Sequence, residues 1–158
     1  MLKIQMNRTA AIVRTYGYPD IGKFVQKLLD FGIRHVIVVV PKDQDQGVTA
    51  PILASFDRSR VHLVIESFEK GGQAWSAMLN AGLDYIETSL GDDFIDYVMM
   101  VSNTVLLEQR HLEQLYAPLR VWNPYMVAGA CFKGVGKQGK EVALGAAYNH
   151  HYRNTLAL

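Results

Sequence analysis

His35-Val36-Ile37-Val38-Val39-Val40, closed by Pro41, decides how this chain is read. An unbroken β-branched, apolar run of this length fits a strand covered on both faces, as in the middle of a parallel sheet. Proline removes the next ladder donor and ends it. Working outward, Ala10-Ala11-Ile12-Val13 is a second short apolar run, and it stops at the turn-rich Arg14-Thr15-Tyr16-Gly17-Tyr18-Pro19. Between the two, Ile21, Phe24, Val25, Leu28 and Leu29 recur at helical spacing and form one apolar stripe, with Pro19-Asp20 as start signal and Gly32 as stop.

Downstream, a polar loop from Lys42 to Gly47 precedes a short helix expected around Pro51 to Phe56, and Val61-His62-Leu63-Val64-Ile65 reads as a third strand. Gly71-Gly72 leads into a helix whose Trp75, Met78, Leu79 and Leu83 share a face, with Asn80 to Gly82 as its expected end. Tyr97-Val98-Met99-Met100-Val101 is a fourth strand. Leu107, His111, Leu112, Leu115, Tyr116 and Leu119 mark another helix, closed by Pro118 and Trp122-Asn123-Pro124. Tyr125 to Phe132 and Val142 to Tyr148 read as a β-hairpin added to the sheet, and the tail from Asn149 carries no signal. Strands alternating with helical crossovers predict an α/β, three-layer Rossmann-like domain over residues 1–158, with a mainly parallel sheet and a C-terminal hairpin.

Composition narrows the function classes. The chain has 158 residues, 49% of them apolar, enough for one core without covalent staples. Sixteen basic against fifteen acidic side chains leave a net charge of +1, so no broad footprint for nucleic acid or an acidic membrane is expected. The single cysteine, Cys131, excludes an internal disulfide and fits a reducing compartment. With neither an apolar leader of signal-peptide length at the start nor a run of about 20 apolar residues anywhere, the expectation is a soluble, cytoplasmic protein that does not span a membrane.

In parallel sheets ligands bind beyond the carboxyl ends of the strands, which directs attention to the loops after Val13, Val40, Ile65 and Val101. Gly134-Val135-Gly136-Lys137-Gln138-Gly139-Lys140 satisfies two glycine-rich phosphate patterns on paper. Glu141 stands where a magnesium-binding hydroxyl belongs, and Val142 to Gly145 is a poor helix, so a hairpin turn is expected in place of a nucleoside triphosphate cradle. Asp43-Gln44-Asp45 has a spacing by which two carboxylates can serve a divalent cation, or merely shape a loop. Asp92, Asp93 and Asp96 form a second acidic cluster, read as turn and cap residues. The histidines lack zinc spacing and read as satisfied or exposed imidazoles, and Cys131, Met99 and Met100 read as core.

Several of these pieces together resemble the family 2 glycosyltransferases. Val13-Arg14-Thr15-Tyr16-Gly17 is similar to their strand-end Pro-Thr-Tyr-Asn. Lys70-Gly71-Gly72-Gln73-Ala74 with Asn80-Ala81-Gly82-Leu83 is similar to their glycine-led helix, and Tyr97 to Val101 to the strand that delivers their metal-binding motif. The resemblance covers roughly residues 9–148. It implies the GT-A fold, a nucleotide-diphosphate sugar of the UDP type as ligand, and Mg²⁺ or Mn²⁺ as cofactor. Residue by residue, it places Arg14, Thr15 and Tyr16 at the nucleoside, Asp43 at the base N–H, Lys70 and Gly72 beside the nucleotide, and Ser102, Asn103 and Thr104 at the metal position.

The departures from that pattern are chemical. Ser102-Asn103-Thr104 replaces an acidic motif and supplies no negative charge for a hard dication. No carboxylate is identifiable as the base that would deprotonate an acceptor hydroxyl. Two substitutes are conceivable: Asp92, Asp93 or Asp96 folding back to the strand end, or Arg14 and Lys70 holding the diphosphate directly. Nucleotide-sugar binding is therefore the expectation, with sugar transfer left open. The alternative is a non-catalytic binding or interaction module on the same fold.

Overall fold

The structure, a computed structural model, describes residues 2–68, 73–103, 107–117, 131–135, 141–145 and 156–157. The elements in chain order are helix α1 (Leu2–Met6), strand β1 (Thr9–Arg14), α2 (Ile21–Asp30), β2 (His35–Pro41), α3 (Lys42–Asp45), α4 (Thr49–Leu53), β3 (Val61–Glu66), α5 (Gln73–Ser89), β4 (Tyr97–Ser102), α6 (Gln109–Tyr116), β5 (Cys131–Val135), β6 (Glu141–Gly145) and β7 (Leu156–Ala157).

The valine-rich strand takes the place its composition demands. All of β2 is buried, and it pairs in parallel with β1 on one side and β3 on the other. Burying each Val or Ile side chain contributes about 1.5–3 kcal/mol, so β2 is the largest single apolar investment in the sheet. The order is β3-β2-β1-β4, with the two residues of β7 continuing the parallel ladder beside β4. Edge strand β3 is half exposed, as one open side requires.

Side-chain alternation divides the core into two layers. Ala11, Val13, Val36, Val38, Met99 and Val101 pack under α2 and α6, whereas Ala10, Ile12, Ile37, Val39 and Val64 pack under α5. In α2 the expected stripe is buried at Ile21, Phe24, Val25 and Leu28, with Leu29 half-buried. Its end is a Schellman motif: the Ile33 N–H donates to the Leu28 carbonyl and the Gly32 N–H to the Leu29 carbonyl. Gly32 sits at φ 93°, a left-handed conformation that would strain a side chain.

Five expectations are corrected. Helix α5 does not end at Asn80 to Gly82 but continues to Ser89. Gly82 is an interior helical residue whose absent Cβ would lie 2.6 Å from Ile12 Cγ2, so this glycine lets the helix approach the sheet closely. The polar segment after β2 is not all loop, because Lys42–Asp45 forms one helical turn. The C-terminal hairpin is not added to the main sheet: β5 and β6 pair antiparallel with each other as a separate two-stranded sheet, in a register that takes in Gly134 opposite Val142. The tail supplies β7 instead, in parallel with Met99 and Met100 of β4. Met100 is also only half-buried, whereas Met99 is fully buried.

Among the described residues no helix is long and apolar enough to cross a membrane. The architecture is an α/β fold with a four-strand parallel sheet and helices on both faces.

Candidate functional site

The chain leaves β1 for β2 on one side of the sheet, and later crosses back to place β4 on the other side of β1. Between β1 and β4 the winding therefore reverses, and in parallel sheets the loops that diverge beyond such a reversal frame the candidate crevice. Arg14, the last residue of β1, lies in register with both Val39 and Ser102, so it stands at this reversal. Its side chain is half-buried. Burial lowers the guanidinium pKa to about 10, partly offset by Tyr16, and Arg14 remains a cation at neutral pH.

Thr15 continues the ladder by donating its N–H to the Val39 carbonyl at 3.1 Å. Its hydroxyl is fully buried and makes no hydrogen bond. Tyr16 is half-buried and packs against the core layer under α5. Gly17, at φ 77°, brings the β1 loop onto the backbone after β2: an added Cβ would lie 2.8 Å from the Gln44 carbonyl oxygen. Across the crevice, the Asn103 side-chain amide donates to Asp20 Oδ1 at 3.2 Å, tying the end of β4 to the start of α2.

The Asp43-x-Asp45 pair divides its roles. Asp43 is exposed on α3, whereas Asp45 is buried and accepts the Thr49 N–H at 3.0 Å, shaping the entry into α4. Gln46 and Gly47 follow at φ 48° and 75°, a left-handed pair that turns the chain sharply between the two helices. Two residues apart on one helical turn, the carboxylates point in different directions and do not chelate together. Among the described residues no group of three His, Cys, Asp or Glu side chains could hold a metal ion. Ser102 and Asn103 add only a hydroxyl and an amide, so the described donor set does not fit Mg²⁺ or Mn²⁺.

Of the residues the sequence nominated, Arg14, Thr15, Tyr16, Ser102 and Asn103 come together at the ends of β1 and β4, and Asp43 lies on α3, next to Gln44, which meets the β1 loop at Gly17. Lys70, Gly72 and Thr104 lie outside the described residues, as does the Trp75 side chain. The idea that Asp92, Asp93 or Asp96 folds back to this end is corrected. Asp93 and Asp96 belong to the opposite end, where Asp93 accepts from Arg34 and His35 and Asp96 pairs with Arg8 at 2.7 Å. Asp92 lies exposed in the same connection, ahead of the start of β4. The glycine-rich motif enters a strand, since Glu141–Gly145 is β6 and not the helix a phosphate loop requires.

Reasoning from sequence missed a cluster at that opposite end, in which His35, His62 and Tyr85 join Asp93 through side-chain hydrogen bonds. Its signal was present: His35 and His62 share the parity of Ile37 and Val64, residues that face α5, on what prove to be adjacent strands. Comparison with family models, with characterised proteins and with solved structures gives no match.

Proposed function

We propose that this chain binds a nucleotide-diphosphate sugar of the UDP type across the carboxyl ends of β1 and β4. The observation that carries the reading is the half-buried Arg14 cation at the reversal of strand order, in register with Ser102. A guanidinium in a partly desolvated crevice suits a diphosphate, to which it can donate two parallel charge-assisted hydrogen bonds. In this reading the half-buried Tyr16 meets the base, and Asp43, exposed on α3, accepts from a base N–H.

Diphosphate charge in this proposal is met by Arg14, assisted by Lys70, and no step is routed through a metal. Sugar transfer is left open, and no base for an acceptor hydroxyl is assigned. A binding module without transferase activity is the second reading. It is favoured by Asn103, which spends its amide on Asp20 where the resembled family carries a metal-binding acid.

Calorimetric titration with UDP and a panel of other nucleotides, with and without Mn²⁺, tests the proposal. Metal-independent UDP binding that Arg14→Ala weakens about tenfold, or about 1.4 kcal/mol, is the expected result. Absence of binding to every nucleotide in both conditions overturns the donor-site reading and leaves the module.

A further inference from the structure

At the amino end of the sheet, five side chains from four parts of the chain form a continuous hydrogen-bonded line. Arg34, just before β2, donates through Nε and Nη2 to the two Asp93 oxygens at 2.8 and 2.6 Å. Asp93 Oδ2 also meets His35 Nε2 at 2.5 Å. His35 Nδ1 meets His62 Nε2 at 3.2 Å, and His62 Nδ1 meets the Tyr85 hydroxyl at 3.0 Å. The three rings stand in file, with centroids 5.3 and 5.2 Å apart. His35 is buried at the start of β2, His62 is half-buried on edge strand β3, and Tyr85 comes from α5. Nearby at this end, Arg60 donates to the Ile33 and Arg34 carbonyls, and Arg8 pairs with Asp96.

Counting protons along the line leaves few arrangements. With both imidazoles neutral, Tyr85 O–H donates to His62 Nδ1, His62 Nε2–H to His35 Nδ1, and His35 Nε2–H to the Asp93 carboxylate, so every ring nitrogen is satisfied. One added proton reverses the first two bonds: it enters at His62 Nδ1, which then donates to the Tyr85 oxygen. His62 releases its Nε2 proton to His35 Nδ1, and the resulting imidazolium lies beside the Asp93 carboxylate. A second proton has no such place. It sets His35 Nδ1–H against His62 Nε2–H across 3.2 Å, two donors and two positive charges face to face.

From this geometry we infer that His35 and His62 form a one-proton latch joining edge strand β3 and helix α5 to β2, which opens when the second imidazole is charged. The acidic partner does not relieve it, since Arg34 and then His35 hold the Asp93 carboxyl well below the usual carboxylate range. Burial, reinforced by His35, pushes His62 below its ordinary value, in keeping with a ring whose charged form is opposed. When β3 loses its tether, the edge of β2 that it covers is uncovered, so acid exposes a pairing surface. This inference is independent of the nucleotide-binding proposal and concerns the other end of the sheet.

The test is a titration of the full-length chain from pH 8 to 4.5 by imidazole ¹⁵N NMR, with backbone amide exchange measured in parallel. At pH 8 both rings are expected to carry their proton on Nε2. The pair should then titrate in two steps separated by more than about one pH unit. At the second step, protection factors in β3 should fall at least about tenfold, while those in β1 and β4 hold. His62→Gln should remove the second step and the acid-dependent loss of protection. If the two rings titrate as independent groups, or if β3 protection does not follow the second step, the latch is overturned. The wild-type titration decides this whether or not His62→Gln folds.

Discussion

The two ends of the parallel sheet are built on different principles. At the amino end, charges are matched: Arg34 with Asp93, Arg8 with Asp96, and Arg60 with two carbonyls, while the two histidines complete one another. At the carboxyl end, a cation is drawn half out of water, the buried Thr15 and Thr49 hydroxyls lack partners, and three residues from two loops adopt left-handed backbone. Such costs are tolerated at functional sites and satisfied networks hold a fold, although at the amino end the buried Gln5 Oε1 also finds no partner among the described residues. The contrast separates Asp45, Asp93 and Asp96, which hold the fold together, from an arginine at a strand end that becomes the candidate ligand group.

If that contrast holds, the largest effect on stability should come from Asp93→Ala. The change strips two ligands from Arg34 and one from His35, and should cost about 3 kcal/mol in urea unfolding. Nucleotide affinity in the surviving folded protein should be unchanged. Gly17→Ala comes next. It combines a positive φ with a 2.8 Å approach to backbone that cannot rotate away, and should cost about 2 kcal/mol in the same assay while also weakening UDP binding. Arg14→Ala should invert the pattern, changing stability by less than about 0.5 kcal/mol but lowering affinity for UDP about tenfold. A large stability loss with unchanged affinity would place Arg14 among the structural residues and dissolve the contrast. Asp96→Asn should do least, under about 1 kcal/mol, because its pair with Arg8 is exposed and screened.

Acid should separate the contributions within the amino end. The lowered value of His62 means that the unfolded chain takes up its proton first, so stability is full above about pH 6.5 and declines as pH falls through that value. Asp93, also lowered, contributes stability above about pH 4 that is lost below it. Thermal melts across pH should therefore fall in two stages. His62→Gln should remove the first, and Asp93→Asn the second.

Much of this was legible before any coordinates. The burial of β2 follows from an unbroken β-branched run, and the packing of α2 from the spacing of Ile21, Phe24, Val25 and Leu28, since periodicity is a local property of the chain. The gathering of Arg14, Thr15, Ser102 and Asn103 follows from placing strand ends in one parallel sheet. Gly82 was misread as a helix stop because composition does not reveal that Ile12 lies beneath it.

By itself, the amino-acid sequence determined the α/β class and the central strand, because each depends on residues near one another in the chain. Only the tertiary structure decided that Asp93 joins Arg34 and His35 rather than a cation, and that Asp45 shapes a loop while Asp43 faces water. It also decided that His35 and His62 lie within hydrogen-bonding distance of one another. Those outcomes depend on which strands lie side by side and where a crossover ends, and charged or polar residues tens of positions apart acquire partners only when the sheet is assembled.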